Sequence, residues 1–135
     1  MADTPSQPSI AQLLLEAAQQ DLAACQVLAN APAIGEAMVG FHAQQAVEKA
    51  LKAVLSAQGI AFRRTHDLVT LLDLLQDNHL AAPPGAEWLD ELNPYAVEAR
   101  YGTVTPTGFD RVQVVNAVIQ VMAWAAHCIS SAAKT

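Results

Sequence analysis

The sequence predicts an all-α protein of about five helices. Its 135 residues are 53% hydrophobic but only 5% aromatic, and Ala, Leu and Val supply much of the apolar content. Ala and Leu favour helices, whereas strands are enriched in aromatic and β-branched residues. Apolar residues recur at intervals of three and four, and no segment alternates for long enough to make a strand.

The chain length fits one domain, because domains commonly have about 100–150 residues. Residues 1–8, which are rich in Ser, Pro and Gln, are predicted to be a flexible tail, and residues 9–135 a single helical domain. Cys25 and Cys128 lie in apolar settings without metal-ligand spacing, as is typical of small core residues in a reducing compartment. The N-terminus lacks the pattern of a signal peptide, so we expect a cytoplasmic protein.

The first two helices are predicted from their end signals. The first runs from Ser9, a suitable N-cap, to Asn30, and its apolar stripe contains one carboxylate, Asp21, which is unusual. The second runs from Ile34 to Gln58, with Gly59 placed for a left-handed cap. Its apolar stripe contains Val39, Ala43, Val47, Ala50 and Val54, and its polar stripe contains His42, Gln45, Lys49 and Lys52.

The third and fourth helices are predicted from caps and helix-breaking residues. Thr65 is expected to cap the third helix, in "HDLVTLLDLLQDN", with Asp67 in the first turn. In "AEWLDELNPYAVEARYG", Asn93 and Pro94 resemble an N-cap followed by proline at the first helical position. We therefore expect an α-helix that kinks or restarts there and ends at Gly102.

The last helix is the most hydrophobic segment. Thr107 and Asp110 resemble a capping box, and the segment from Phe109 to Ala133 is long enough to span a bilayer. Its polar residues share one helical face, which favours an amphipathic helix inside a bundle over a membrane span. That face contains Gln113, Asn116, Gln120 and His127.

The charge pattern limits the ligands. The net charge is −6, so the overall field repels phosphate backbones and excludes general binding to duplex DNA. Four of the seven basic residues, Lys49, Lys52, Arg63 and Arg64, fall within sixteen residues. Such a cluster is more often a solvated helix end than a phosphate site.

Common catalytic signatures are absent. The sequence contains no glycine-rich phosphate loop, no H-E-x-x-H and no G-x-S-x-G, and the four His are scattered. We therefore predict no metal site and no cofactor.

Two local sets of residues are candidates for a binding site. The polar stripe of the second helix aims His42, Gln45, Lys49 and Lys52 toward a common partner, since residues three and four apart share a face. Its alternative interpretation is an exposed face with ordinary pairing of Glu48 with Lys52.

The second set is Glu98, Arg100 and Tyr101, in which a guanidinium beside a phenol is suited to holding a phosphate and stacking a base. The alternative is an inward ion pair of Arg100 with Asp21 or Glu48.

Four motifs in order resemble the HEPN domain family. They are "AAQQDLAAC", "FHAQQAVEKALKAVLSAQGI", "THDLVTLL" and "YAVEARYG", and the resemblance covers nearly the whole chain, from about Ser9 to Ala132. The resemblance implies an up-and-down antiparallel bundle, usually a homodimer, of a type often encoded beside a small nucleotidyltransferase. Such pairs resemble toxin–antitoxin modules.

Some members of that family are metal-independent RNases whose motif is an Arg followed four to six residues later by a His. Neither Arg100 nor Arg111 has a His at that spacing, and Arg63 and Arg64 lie too close to His66. The RNase motif is therefore absent, and no catalytic residue is assigned.

Three hypotheses follow for the function. The leading one is a dimeric module that binds a nucleotide, RNA or a nucleotidyltransferase-fold partner. Its predicted site residues are His42, Gln45, Lys49, Lys52, His66, Arg100 and Tyr101. The alternatives are an RNase toxin with a rearranged site, and a purely structural oligomerisation protein.

Overall fold

A computed structural model describes residues 9–97 and 109–133, and every regular element in these two ranges is helical. The α-helices are α1 (Ile10–Ala29), α2 (Glu36–Ala57), α3 (Leu68–Asp77) and α4 (Arg111–Ala133), and a 3₁₀ helix spans Leu89–Ala96. The predicted all-α bundle is confirmed.

Helix α2 is the centre of the bundle. It packs against α1, α3, α4 and the 3₁₀ helix, and its whole predicted apolar stripe is buried. Close packing against the 3₁₀ helix requires Gly40, because a Cβ atom there would lie 2.3 Å from Cδ1 of Tyr95. Small residues on α2 thus let its neighbours approach closely.

The predicted ends of the first helix and the predicted C-terminal end of the second are confirmed, whereas α2 begins at Glu36, two residues after the predicted Ile34. The backbone N–H of Gln12 donates to Oγ of Ser9, and the Gln12 side chain accepts from the Ser9 N–H, which completes a capping box. At the end of α2, Gly59 has a φ of +71°, and the N–H of Ile60 donates to the carbonyl of Leu55. This left-handed cap satisfies carbonyls that the helix leaves unpaired.

The prediction that Thr65 caps the third helix is wrong. Asp67 is the N-cap of α3, and its carboxylate accepts from the N–H of Val69. The Thr65 hydroxyl instead accepts from the N–H of Asp67, the residue just before the helix. A carboxylate beside the positive helix end explains why Asp67 takes the capping position.

The predicted fourth α-helix is a 3₁₀ helix, so that prediction is wrong over Leu89–Ala96. Three of its four buried residues, Leu89, Leu92 and Tyr95, are three apart, which matches the 3₁₀ period and places them on one face. Pro94 lies inside this helix. The expected end at Gly102 lies outside the described residues.

Asn93 lies inside the 3₁₀ helix and is not an N-cap. Its Oδ1 accepts from the N–H of Leu68 at 2.9 Å, and its Nδ2 donates to Oδ1 of Asp67 at 2.9 Å. Asn93 therefore completes the N-terminus of α3 across a tertiary contact. The prediction that Asn93 caps its own helix is therefore wrong.

Helix α4 begins at Arg111, and Asp110 caps it, because Oδ1 of Asp110 accepts from the N–H groups of Val112 and Gln113. Thr107, the other half of the predicted capping box, lies outside the described residues. All four members of the predicted polar face are exposed, while Val114, Val118, Val121 and Ala125 are buried against the bundle.

The length and apolar composition of α4 would allow it to cross a membrane, but it packs against α1 and α2. Only 28% of its most apolar window is buried, so much of its outer surface is uncovered.

Both cysteines are free. Cys25 is fully buried, and desolvation, with the nearby Asp21 charge, raises the pKa of its thiol to about 11. Burial also raises the pKa of the Cys128 thiol. A raised pKa keeps both thiols protonated and poorly nucleophilic near neutral pH, as expected of packing residues.

Candidate functional site

The first of two carboxylate-centred clusters joins α1 to the polar stripe of α2. Asp21 of α1 accepts from Nζ of Lys49 at 2.6 Å through Oδ2. Its other oxygen, Oδ1, lies 3.2 Å from Nδ1 of His42. We call Asp21, His42 and Lys49 the Asp21 cluster. The carboxylate that was unusual in an apolar stripe is thus the anchor of a polar contact between helices.

The second cluster is centred on Glu48 of α2. Its Oε2 accepts from Nζ of Lys52 at 3.0 Å, and its Oε1 lies 2.8 Å from Nδ1 of His66. Nε2 of Gln44 also donates to Oε1 of Glu48, at 3.1 Å, and Nε2 of Gln45 donates to the Gln44 side-chain oxygen. We call these five residues the Glu48 cluster.

His66 is held in the Glu48 cluster by its backbone as well as by its ring. The Gln44 amide, itself fully buried, donates to the carbonyl of His66 at 3.0 Å. The loop that precedes α3 is thereby fixed to the middle of α2. Two separate segments of sequence meet at this point.

In both clusters the carboxylates are covered by nitrogen-bearing side chains. The exposed fraction of the side chain is 4% for Glu48, against 14% for Lys52 and 63% for His66. It is 13% for Asp21, against 23% for His42 and 30% for Lys49. The surface therefore presents ammonium and imidazole nitrogens, while the carboxylates that hold them lie beneath.

All five predicted site residues within the described ranges belong to these clusters: His42, Gln45, Lys49, Lys52 and His66. The pairing of Glu48 with Lys52 occurs, but on a partly buried face rather than an exposed one. The spacing on α2 placed four of these residues together. The tertiary fold added Asp21 and His66.

Arg100 and Tyr101 lie outside the described residues, so their predicted place beside these clusters stays a prediction. Of the other basic residues, Arg63 and Arg64 are exposed, and Nη2 of Arg63 contacts the Thr70 hydroxyl at 3.4 Å. The predicted basic group thus divides into two lysines held by carboxylates and two arginines facing solvent.

Arg111 has a structural role that no local motif indicated. Its Nε donates to Oε1 of Glu36 at 2.6 Å, and Nη1 donates to three carbonyls at 3.1–3.3 Å. These carbonyls belong to Leu28, Ala29 and Ala31, and Nη2 donates to that of Ile34. The guanidinium therefore satisfies the C-terminal end of α1 and the turn into α2.

One member of the Glu48 cluster, His66, lines a shallow cleft. A space of about 410 Å³ is lined by His66, Asp67, Asn93 and Pro94, together with Ala96 and Val97. The exposed side chain of His66 thus forms part of the wall of this cleft. Within residues 9–97 and 109–133, no three His, Cys, Asp or Glu side chains are grouped as a metal site requires.

Comparison with known proteins agrees with the fold. The HEPN domain family model matches residues 11–128. The crystal structure of TT1696 from Thermus thermophilus is 26% identical, covers 90% of this chain and 99% of its own, and superposes with a TM-score of 0.69.

The crystal structure of ST0689, an archaeal HEPN homologue, is 22% identical, covers 91% of this chain and 99% of its own, and has a TM-score of 0.64. Comparison with curated proteins gives no match. Because the family model covers most of the chain, the protein belongs to the HEPN domain family.

Proposed function

We propose that this HEPN domain is a dimeric binding module that recognises a nucleotide through the polar face of α2 and acts with a nucleotidyltransferase-fold protein in a toxin–antitoxin-like pair. The observation that carries the proposal is the layering of the two clusters. The side chains of Lys49 and His66 are more exposed than the carboxylates that they contact, and His66 also lines a cleft. Preorganised N–H donors of this kind suit phosphate oxygens.

The charge balance of the site limits the kind of ligand that it can bind. Lys49 and Lys52 are each offset by a carboxylate, so the two clusters together supply donors without a large excess of positive charge. The positive charge that attracts a phosphate must therefore come from the exposed Arg63 and Arg64 and, in this proposal, from Arg100. A small phosphate-bearing ligand fits this arrangement better than a long RNA, which needs an extended basic surface.

Nucleotide binding is expected to raise the melting temperature of the wild-type protein. A ligand at 100 times its Kd adds about 2.7 kcal/mol to the free energy of unfolding. We expect Arg100→Ala and Lys49→Ala to abolish the shift in differential scanning fluorimetry with a panel of nucleotides. Lys134→Ala, which removes one positive charge near the chain end, should retain it.

The nucleotide proposal fails if no nucleotide changes the melting temperature, or if both variants respond like the wild type. Failure to bind nucleotides in a protein that remains dimeric would favour the purely structural role.

Dimerisation is supported by the uncovered side of α4. The side chain of Ile119 is 40% exposed and that of Val112 69% exposed, and much of the rest of this apolar helix is also uncovered. An apolar surface of this kind commonly marks a protein interface.

We expect light scattering after size-exclusion chromatography to give twice the chain mass of 14.3 kDa. Ile119→Lys should convert the protein to a monomer. Val69→Lys is the matched control, because Val69 is also 40% exposed but lies on α3, and it should leave the mass unchanged. A wild-type mass of 14.3 kDa would exclude the dimer.

A further inference from the structure

One continuous part of the chain is strongly acidic. Between Thr65 and Val97 there are six Asp or Glu and no Lys or Arg. This part forms α3, the turn after it and the 3₁₀ helix. The protein therefore separates its charges, since the polar face of α2 presents ammonium groups while this region contains carboxylates and no ammonium or guanidinium group.

A groove runs through the acidic region. It encloses about 450 Å³ between α3 and the segment that leads into the 3₁₀ helix. Its apolar lining includes Val69, Leu72 and Leu80, with the buried Leu75 also in the wall. Val69 is 40% exposed, so an apolar side chain at the groove is in contact with solvent.

Carboxylates border the apolar groove on both sides. Asp73 of α3 lies on one side, and Glu87 and Asp90 lie on the other, all three exposed. The ion pairs formed among residues 9–97 and 109–133 involve Asp21, Glu36 and Glu48, and none of these three. Asp90 lies in the first turn of the 3₁₀ helix, where the positive end of the helix dipole favours a carboxylate. Asp73 and Glu87 lie in no first turn, so the helix dipole does not account for them.

We propose that this groove docks an amphipathic basic segment of a partner protein. Apolar side chains of the segment pack against Val69 and Leu80, and its Lys or Arg side chains pair with Asp73, Glu87 and Asp90. The complementary charge excludes nucleic acid as the occupant, because a phosphate backbone is repelled by the three carboxylates that border the groove. A helix laid into an apolar groove with anchors at helical spacing is an established mode of peptide recognition.

The docking surface differs from the nucleotide site in position and in charge. The residues that line the groove belong to α3, the 3₁₀ helix and the segment between them. The Asp21 and Glu48 clusters lie instead on α1, α2 and the loop before α3. The two proposals therefore succeed or fail separately. Lys49→Ala should leave docking intact, and groove variants should leave the nucleotide-induced shift intact.

Fluorescence anisotropy with two labelled peptides tests the docking proposal. The probe is a Leu and Lys peptide whose Leu residues share one helical face, and the comparison peptide has the same composition in scrambled order. We expect saturable binding of the probe at physiological salt and about tenfold weaker binding of the scrambled peptide, because only the probe presents a continuous apolar stripe.

Variants assign the binding to the groove. Val69→Lys is expected to weaken probe binding about tenfold or more, since it places a like charge in the apolar wall. Asp73→Asn with Asp90→Asn should weaken it to a similar degree and reduce its salt dependence. The matched control, Glu16→Gln with Asp77→Asn, removes two exposed carboxylates outside the groove lining and should have little effect.

Several outcomes would overturn the proposal. They are no saturable binding of the probe, equal affinity for the scrambled peptide, or equal weakening by the control pair, which would indicate only general charge attraction. Concentration-dependent assembly beyond the dimer that Val69→Lys abolishes would identify a second copy of the chain as the occupant instead.

Discussion

Arg111→Ala is expected to lower the free energy of unfolding by about 3 kcal/mol, and the melting temperature by on the order of 10 °C. The guanidinium pairs with Glu36 and donates to the carbonyls of Leu28, Ala29, Ala31 and Ile34. Alanine removes this cation from the end of α1, where the helix dipole favours one, and the carbonyls of Leu28 and Ala31 keep only their backbone donors. Urea and thermal unfolding followed by circular dichroism measure the change.

Two further variants separate this role from a general loss of charge. Arg64→Ala removes an exposed basic residue and should change stability by less than about 0.5 kcal/mol. Arg111→Lys keeps the charge but cannot reproduce the planar set of five donors, so we expect an intermediate loss. An Arg111→Ala protein as stable as Arg64→Ala would contradict the structural role of this guanidinium.

Glu48→Ala is expected to destabilise the protein by a similar amount, about 3 kcal/mol. Glu48 is only 3% exposed and accepts from Lys52 and Gln44, while also contacting the His66 ring. Its removal leaves a partly buried ammonium and a buried amide short of an acceptor, together with a cavity. The loss is measured by urea unfolding at pH 7.

Glu16→Ala is the control for Glu48→Ala, because Glu16 is an exposed carboxylate on α1. It should change the free energy of unfolding by less than about 0.5 kcal/mol. Glu48→Gln keeps the side-chain volume and an acceptor oxygen, so it should fall between the two. If Glu48→Ala were no more destabilising than Glu16→Ala, Glu48 would not anchor the cluster.

Most helices were predictable because their signals are local. In α1 the capping residue Ser9 and its partner Gln12 are three apart, and in α2 the apolar stripe and Gly59 lie within one continuous segment. Periodicity and capping depend on neighbours within a few residues. These features are therefore readable without knowledge of the tertiary structure.

The region around Asn93 was mispredicted because its partners are distant in sequence. Asn93 and Pro94 carry a familiar local signal for a helix start, but the Asn93 side chain instead bonds Leu68 and Asp67, 25 and 26 residues away. A competing tertiary contact overrode the local preference. The three-residue spacing of Leu89, Leu92 and Tyr95 was the available sign of a 3₁₀ helix.

The candidate site was predictable only in part. Helical spacing placed His42, Gln45, Lys49 and Lys52 on one face of α2. Spacing along one helix does not show which side chain from another element lies opposite it. The contacts of Asp21 with Lys49 and of His66 with Glu48 were therefore not predictable. The role of Arg111 was missed for the same reason, since Glu36 precedes it by 75 residues.

The sequence by itself determined the helical class, most helix ends, the polar stripe of α2 and the resemblance to the HEPN domain family. These depend on side-chain type and on interactions over three or four residues. Only the tertiary structure decided that Asp21 and Glu48 lie beneath the nitrogen-bearing side chains and that Arg111 closes the end of α1. Those contacts form only when α1, α2, α4 and the loop before α3 pack together, because burial makes each charge depend on a partner from another element.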